Sequence, residues 1–165
     1  MERALARQPV EILTDVRTPN AEDVEDLAIL LYAAYRGTID DEGETFTDAL
    51  GEIRELLDGS YGEFLPDCSF VVEEREFLVS ASLITWWEPH GAPLVAFTMT
   101  RPEARNRGLA TRVLNASMSA LLDHGHDRLT LVVTEGNAPA QRLYASLGFR
   151  PMSADITPNP RSVRV

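Results

Sequence analysis

Apolar and polar positions follow two rhythms along this chain, and the switches between them mark its elements. Val10 to Arg17 alternates loosely, as a strand does, until Thr18-Pro19-Asn20 breaks it. Beyond Asn20, the apolar positions Val24, Leu27, Ala28, Leu31 and Tyr35 fall three and four apart, the spacing of one helix face. Asn20 is a good cap for that helix, Glu22, Asp23, Glu25 and Asp26 lie near its positive end, and Arg36-Gly37 closes it. A second helix is expected from about Thr45 to Leu57, burying Phe46, Leu50, Ile53, Leu56 and Leu57. Gly59 to Pro66 is rich in breakers. Ser69 to Val72 and Phe77 to Trp86 then read as a strand pair joined through Glu73-Glu74-Arg75-Glu76. The turn Glu88-Pro89-His90-Gly91 leads to a further strand, Leu94 to Thr100.

A third helix starts near Gly108. Its inward face is Leu109, Val113, Leu114, Ser117, Met118, Leu121 and Leu122, and Gly125 follows its end. The apolar run Leu129 to Thr134 is the next strand, and Asn137 caps a short helix with Pro139 in its first turn. Beyond Phe149 one strand is expected around Arg150 to Ile156, and Ser162 to Val165 is long enough for a short second. A meander followed by two strand-to-helix units implies an α/β (α+β) domain with helices on both faces of one sheet. The 165 residues suit a single domain, 1–165, without internal repeat or linker.

Composition narrows the function classes. The apolar and charged fractions, 44% and 25%, are those of an ordinary globular protein, and the longest apolar run, Leu27 to Tyr35, is too short for a bilayer. The N-terminal residues lack a signal-peptide pattern, and Cys68, the single cysteine, excludes an internal disulfide; a cytoplasmic location is the expectation. A formal net charge of -11 argues against nucleic acid as a partner and suits a cationic acceptor or simple solubility. All fifteen basic residues are arginine. The histidines, His90, His124 and His126, form no cluster with cysteine or carboxylates that would hold a metal.

Against that acidic background one stretch reverses sign. Arg101, Arg105, Arg107 and Arg112 lie within a dozen residues that hold one acid, Glu103. They bracket the point where a strand gives way to a helix, Arg105-Asn106-Arg107-Gly108-Leu109-Ala110. A helix start presents unpaired N–H groups and the positive end of the macrodipole, which together attract phosphate. Gly108 removes a side chain from the approach, and Ala110 keeps the next turn thin. The stretch reads as a diphosphate cradle.

A second motif stands downstream: Asn137, Ala140, Leu143, Tyr144, Gly148 and Phe149, in N-x-x-A-x-x-L-Y-x-x-x-G-F spacing. With Arg105, Gly108 and Ala110 in R-x-x-G-x-A spacing, the chain from Leu94 to Phe149 resembles the GNAT superfamily of acyl-CoA-dependent N-acetyltransferases. The resemblance implies a mixed, mostly antiparallel sheet of six to seven strands flanked by about four helices. It also implies a splay between the superfamily's strands four and five, here Leu94–Thr100 and Leu129–Thr134. Acetyl-CoA would be the co-substrate, with no metal.

The same resemblance assigns roles. Its diphosphate would rest on the main chain of Arg105, Asn106, Arg107, Gly108, Leu109, Ala110 and Thr111, with Arg105 and Arg107 adding charge and Arg112 or Arg142 reaching the nucleotide phosphate. The pantetheine arm would pair with the main chain of Thr98, Met99 and Thr100, next to a β-bulge expected near Thr98. Asn137 would cap its helix and touch the arm. Tyr144 would be the acid that protonates the departing thiolate. Many superfamily members carry a glutamate on the fourth strand as base, yet Val95-Ala96-Phe97-Thr98-Met99 holds no carboxylate. Glu73, Glu88, His90 and Glu135 remain as candidates, and the acidic loop Thr38 to Glu44 faces either solvent or the acceptor.

The implied reaction is direct transfer of an acetyl group to a primary amine of a small molecule or peptide. A catalytically silent acyl-CoA-binding module and a protein N-terminal or lysine acetyltransferase are the alternatives. The short, proline-interrupted C-terminus leaves the acceptor pocket either open or completed by a second copy in a homodimer.

Overall fold

The computed structural model describes residues 1–6 and 15–152. Its strands are β1 (Glu2–Ala4), β2 (Val16–Arg17), β3 (Glu63–Phe64), β4 (Phe70–Glu74), β5 (Phe77–Trp87), β6 (Ala92–Thr100) and β7 (Arg128–Leu131). The helices are α1 (Val24–Tyr35), α2 (Phe46–Asp58), α3 (Leu109–Asp123) and α4 (Ala138–Ser146). Together the strands form one seven-stranded sheet in the order β1-β7-β6-β5-β4-β2, with β3 also pairing with β5. Every pairing is antiparallel except that of β6 with β7. This is the mixed, mostly antiparallel α/β sheet with four helices that the hydrophobic pattern and the resemblance predict.

The local chemistry explains the elements. Asn20 caps the chain through a capping box with Asp23, but the first turn is a 3-10 turn, Ala21–Asp23, so α1 proper starts at Val24. Thr45 and Asp48 form a second capping box at α2, and Gly59 closes that helix at φ 92°, a backbone conformation that favours glycine. The inward positions expected for α1 and α2 face a core of Leu27, Leu30, Leu31, Ile53 and Leu56 against Ala81, Leu83, Phe97 and Met99 of the sheet. On the other face α3 and α4 bring Leu114, Met118, Leu121, Tyr144 and Leu147 against Ile84, Val95, Leu129 and Leu131.

Two features were not legible in the pattern. Residues Glu2–Ala4 add a strand at the edge of β7, where Glu2 also bridges to Arg150. Three residues are too few for a periodic signal. The other feature is the exact place of the bulge expected near Thr98: it falls at Ala96, where Leu83 pairs with Phe97 and Ile84 with Val95. The extra residue inverts the alternation of β6. Val95 therefore packs with α3 and α4, whereas Ala96, Phe97 and Met99 all belong to the α1–α2 core. The first expected strand, Val10 to Arg17, lies mostly outside the described residues, as does most of the C-terminal stretch expected to hold strands.

Candidate active site

β6 and β7 pair only at Leu94–Thr130 and Val95–Leu131. Past that point β7 ends while β6 continues to Thr100, so the sheet splays where the resemblance placed the gap. The N–H of Arg101 donates to Val79 O at 2.9 Å, on the β5 side. Backbone groups of successive strand residues point to opposite edges, so those of Thr98 and Thr100 face the side that β7 has left. There the Thr98 carbonyl accepts a bond from the Tyr35 hydroxyl at 3.3 Å.

The cradle closes the far end of this gap. After β6 a short turn, Pro102–Ala104, is followed by Arg105 in extended backbone, Asn106 at φ 59° and Gly108 at φ 74°. Left-handed residues on either side of Arg107 curve the chain so that successive N–H groups converge. The first intrahelical bond of α3 runs from Arg112 N–H to Gly108 O at 3.1 Å, and no side chain caps the helix. The N–H groups of Leu109, Ala110 and Thr111 therefore have no intrahelical acceptor. A Cβ built on Gly108 meets nothing within 4 Å, so the space above the turn is open.

The arginines behave differently from their sequence pattern. Arg105 Nη2 donates to the Ala34 carbonyl near the end of α1 at 2.7 Å. Arg107 grips the Glu74 carboxylate with both guanidinium nitrogens, at 3.1 and 2.5 Å. Arg112 is paired with Asp15, and Arg101 donates to Leu78 O while stacking on Phe77. Arg107 and Arg112 are thus answered by acids distant in sequence, which no reading of neighbours along the chain could reveal. What stays uncommitted at the cradle is main chain. Arg142 is exposed on α4.

Tyr144 stands on the other wall of the gap. It is 0% exposed, packs edge-on to Phe149 at 5.7 Å, and its hydroxyl has no hydrogen-bond partner. Thr98 Oγ1 is buried without a partner as well. The two hydroxyls are neighbours across the gap, short of a well-formed bond. Burial pushes the Tyr144 phenol well above its ordinary range; the Thr98 hydroxyl opposes that rise and the charge of Asp40 adds to it. The phenol is a neutral proton holder at physiological pH.

Asn137 links the gap to the loop after α1. Its Oδ1 accepts the N–H of Ala140 at 3.1 Å, capping α4, and its Nδ2 donates to Asp40 Oδ2 at 2.9 Å. Asp40 is only 6% exposed. Beside it, Ile39 Cδ1 lies 3.4 Å from where a Gly136 Cβ would stand. Asp40, among the acids of the loop, is therefore folded inward, a placement that the run Asp40-Asp41-Glu42 does not distinguish from a wet loop.

The candidate bases sit elsewhere. Glu88 accepts from Trp86 Nε1, and His90 contacts Thr130 Oγ1 at 3.2 Å, both near the start of β6 and away from Thr98. Glu73 is held by Arg17, and Glu135 is exposed before α4. Cys68 is buried, and burial, with Asp67 adding, pushes its thiol up to about 11, which suits a core residue. A cavity of about 960 Å³ lies at the opposite end of the sheet, around Ala92, Pro93, Arg128 and Arg150. It is remote from the cradle. No group of histidine, cysteine and carboxylates among the described residues could hold a metal, and no described helix is long and apolar enough to cross a membrane.

The sheet is thus splayed beside an open turn at the start of α3, with a buried phenol on the facing helix. The chain belongs to the acetyltransferase (GNAT) family, whose model matches residues 35–149. Over 55 residues it is 36% identical to a mycothiol acetyltransferase of Clavibacter sepedonicus, a stretch covering 33% of this chain and 18% of that protein. The chain thus matches less than a fifth of the length of this relative. Among solved structures, a GNAT-family acetyltransferase of Novosphingobium aromaticivorans, itself described as putative, aligns over 92% of this chain and 58% of its own, with TM-score 0.66 and 24% identity. The PaiA N-acetyltransferase of Thermoplasma acidophilum, solved with coenzyme A, aligns over 85% and 91% with TM-score 0.66 and 15% identity. Both share the fold.

Proposed function

We propose that this protein transfers an acetyl group from acetyl-CoA to a primary amine of a small molecule or peptide, by direct attack within a ternary complex. The observation that carries the reading is the uncapped start of α3, where the first main-chain amides have no intrahelical acceptor and a Cβ on Gly108 would meet nothing within 4 Å. A diphosphate fits there by the chemistry of its donors. Arg105, Asn106 and Arg107 supply the approach, and Arg142 is exposed on α4, free to turn toward a nucleotide phosphate.

From that anchor the pantetheine arm would run along Thr98, Met99 and Thr100, taking the backbone bonds that β7 does not make. An N–H of this strand edge would polarise the thioester carbonyl, where negative charge develops. When the amine attacks, the C–N bond forms and the C–S bond breaks. The leaving thiolate takes the phenol proton of Tyr144, which burial keeps in the acid form. Asn137 fixes the start of α4 and so the position of Tyr144. Acetyl-CoA supplies the acyl group, and no metal takes part.

A silent acyl-CoA-binding module is the second reading, favoured by the absence of a carboxylate on β6. One experiment separates the two: acetyl-CoA incubated with neamine, spermidine and an N-terminal peptide, read by release of free thiol. Amine-dependent thiol release supports the enzyme. Tight cofactor binding without product from any amine supports the binder. Tyr144→Phe should lower turnover by about a hundredfold or more, the general range for acid catalysis, with cofactor affinity nearly unchanged. Equal turnover would remove the acid role.

A further inference from the structure

With β6 lacking a carboxylate, the amine acceptor still needs a group to receive its proton, because a primary ammonium has no lone pair to attack with. Among the described residues, Asp40 is a carboxylate buried at this gap. Its backbone place is fixed by a bond from its N–H to Thr38 Oγ1, at 3.2 Å, and its Oδ2 is held by Asn137 Nδ2. Asn137 is in turn locked as the cap of the helix that carries Tyr144. The Tyr144 and Thr98 hydroxyls, both fully buried, adjoin each other at the same gap without a well-formed hydrogen bond. Tyr35, from the end of α1, reaches the Thr98 carbonyl and so marks the acceptor side of the opening.

We propose that Asp40 is the catalytic base of this acetyltransferase: it receives the acceptor ammonium at the mouth between the α1–α2 loop and α4, and takes its proton. This rests on the acetyl-transfer reading above. The step balances. One ammonium proton passes to Asp40 and from there to solvent. The freed amine forms the C–N bond, the C–S bond breaks, and the thiolate takes the Tyr144 proton. The second proton lost by the nitrogen restores the phenol. Asp40 as base is also compatible with Tyr144 as acid, since a carboxylate nearby keeps the phenol neutral. A cationic acceptor follows from the same geometry.

Asp40→Asn tests this, because it keeps the size and a hydrogen-bond acceptor for Asn137 while removing the charge. The probe pair is the best amine from the thiol-release panel and its aminooxy counterpart, chosen so that the wild type acetylates both. The aminooxy group is already neutral at the assay pH. Asp40→Asn should lower kcat/KM for the amine about a hundredfold and for the aminooxy compound by less than fivefold, with acetyl-CoA affinity unchanged. Near-wild-type rates with the amine, or equal losses with both acceptors, would overturn the assignment. Should Asp40→Asn not fold, Asp40→Glu replaces it: the carboxylate is displaced, and a rate within threefold of wild type for the amine overturns the assignment, while a loss of tenfold or more confined to the amine supports it. Failure of the wild type to turn over any amine is a distinct outcome: it removes the acetyl-transfer reading and the base with it.

Discussion

Asn137 holds two separate parts of the molecule with the two ends of one amide: Oδ1 accepts the N–H of Ala140, and Nδ2 donates to Asp40. The start of α4 and the loop after α1 are therefore positioned by a single side chain. Tyr144, two turns along α4, inherits that placement.

Replacing this residue tests the coupling. Asn137→Ala removes a helix cap, usually a loss of about 1 kcal/mol, and leaves the buried Asp40 carboxylate without that donor. The expected result is a lower melting temperature and a turnover loss larger than the loss in acetyl-CoA affinity. Thermal melts and a cofactor titration check both. An unchanged melting temperature would contradict the capping role.

Arg105 separates a stabilising role from a phosphate-binding one. Its guanidinium is bound to the Ala34 carbonyl, so Arg105→Ala should cost about 1.5 kcal/mol of stability, the lower end for a hydrogen bond to a charged group. Acetyl-CoA affinity should fall less than it does when Gly108 is changed. A fall in affinity larger than that of the Gly108 variants would mean that the guanidinium turns toward the phosphates.

Gly108 offers the complementary contrast. At φ 74° a side chain is strained, more for a β-branched residue than for asparagine, and a Cβ there meets no atom of the protein within 4 Å. Gly108→Asn and Gly108→Val should both fold, the second with about 1–2 kcal/mol less stability. Both should bind acetyl-CoA at least tenfold more weakly, because the added side chain stands where the phosphates would lie. Affinity equal to the wild type in either would contradict the cradle.

How much of this could be read from the chain depends on the range of the interactions. Helix faces and the α3 cradle are local patterns, and Val24–Tyr35, Leu109–Leu121 and Arg105–Ala110 carry them within a few residues. The pairing of Arg107 with Glu74 and of Arg112 with Asp15 joins residues far apart in sequence, so the apparent basic patch was legible and its neutralisation was not. Asp40 is the same case. Its burial depends on Asn137, nearly a hundred residues later, and in sequence it looks like any acid of a wet loop. The bulge at Ala96 is set by packing on both faces of β6, which periodicity alone does not fix.

His90 gives a pH dependence. Burial, with the Met1 ammonium and Arg128 as cationic neighbours, lowers its pKa, so the folded state holds it neutral. Its stabilising contribution is complete above the unfolded value of about 6.5 and declines as the pH falls toward the lower folded value, since the unfolded chain then binds more protons. Melts of the wild type and His90→Gln from pH 8 to pH 5 should converge as the pH drops. A stability difference that stays constant over that window would contradict a neutral buried imidazole.

The central claim, that bare main-chain amides at the start of α3 grip the cofactor diphosphate, is tested most directly by following backbone amide resonances while acetyl-CoA is added. The largest shifts should fall on Arg107, Gly108, Leu109, Ala110 and Thr111, with smaller ones on Thr98 and Thr100. Saturable binding that leaves those five amides unmoved, or no binding at all, would contradict the account.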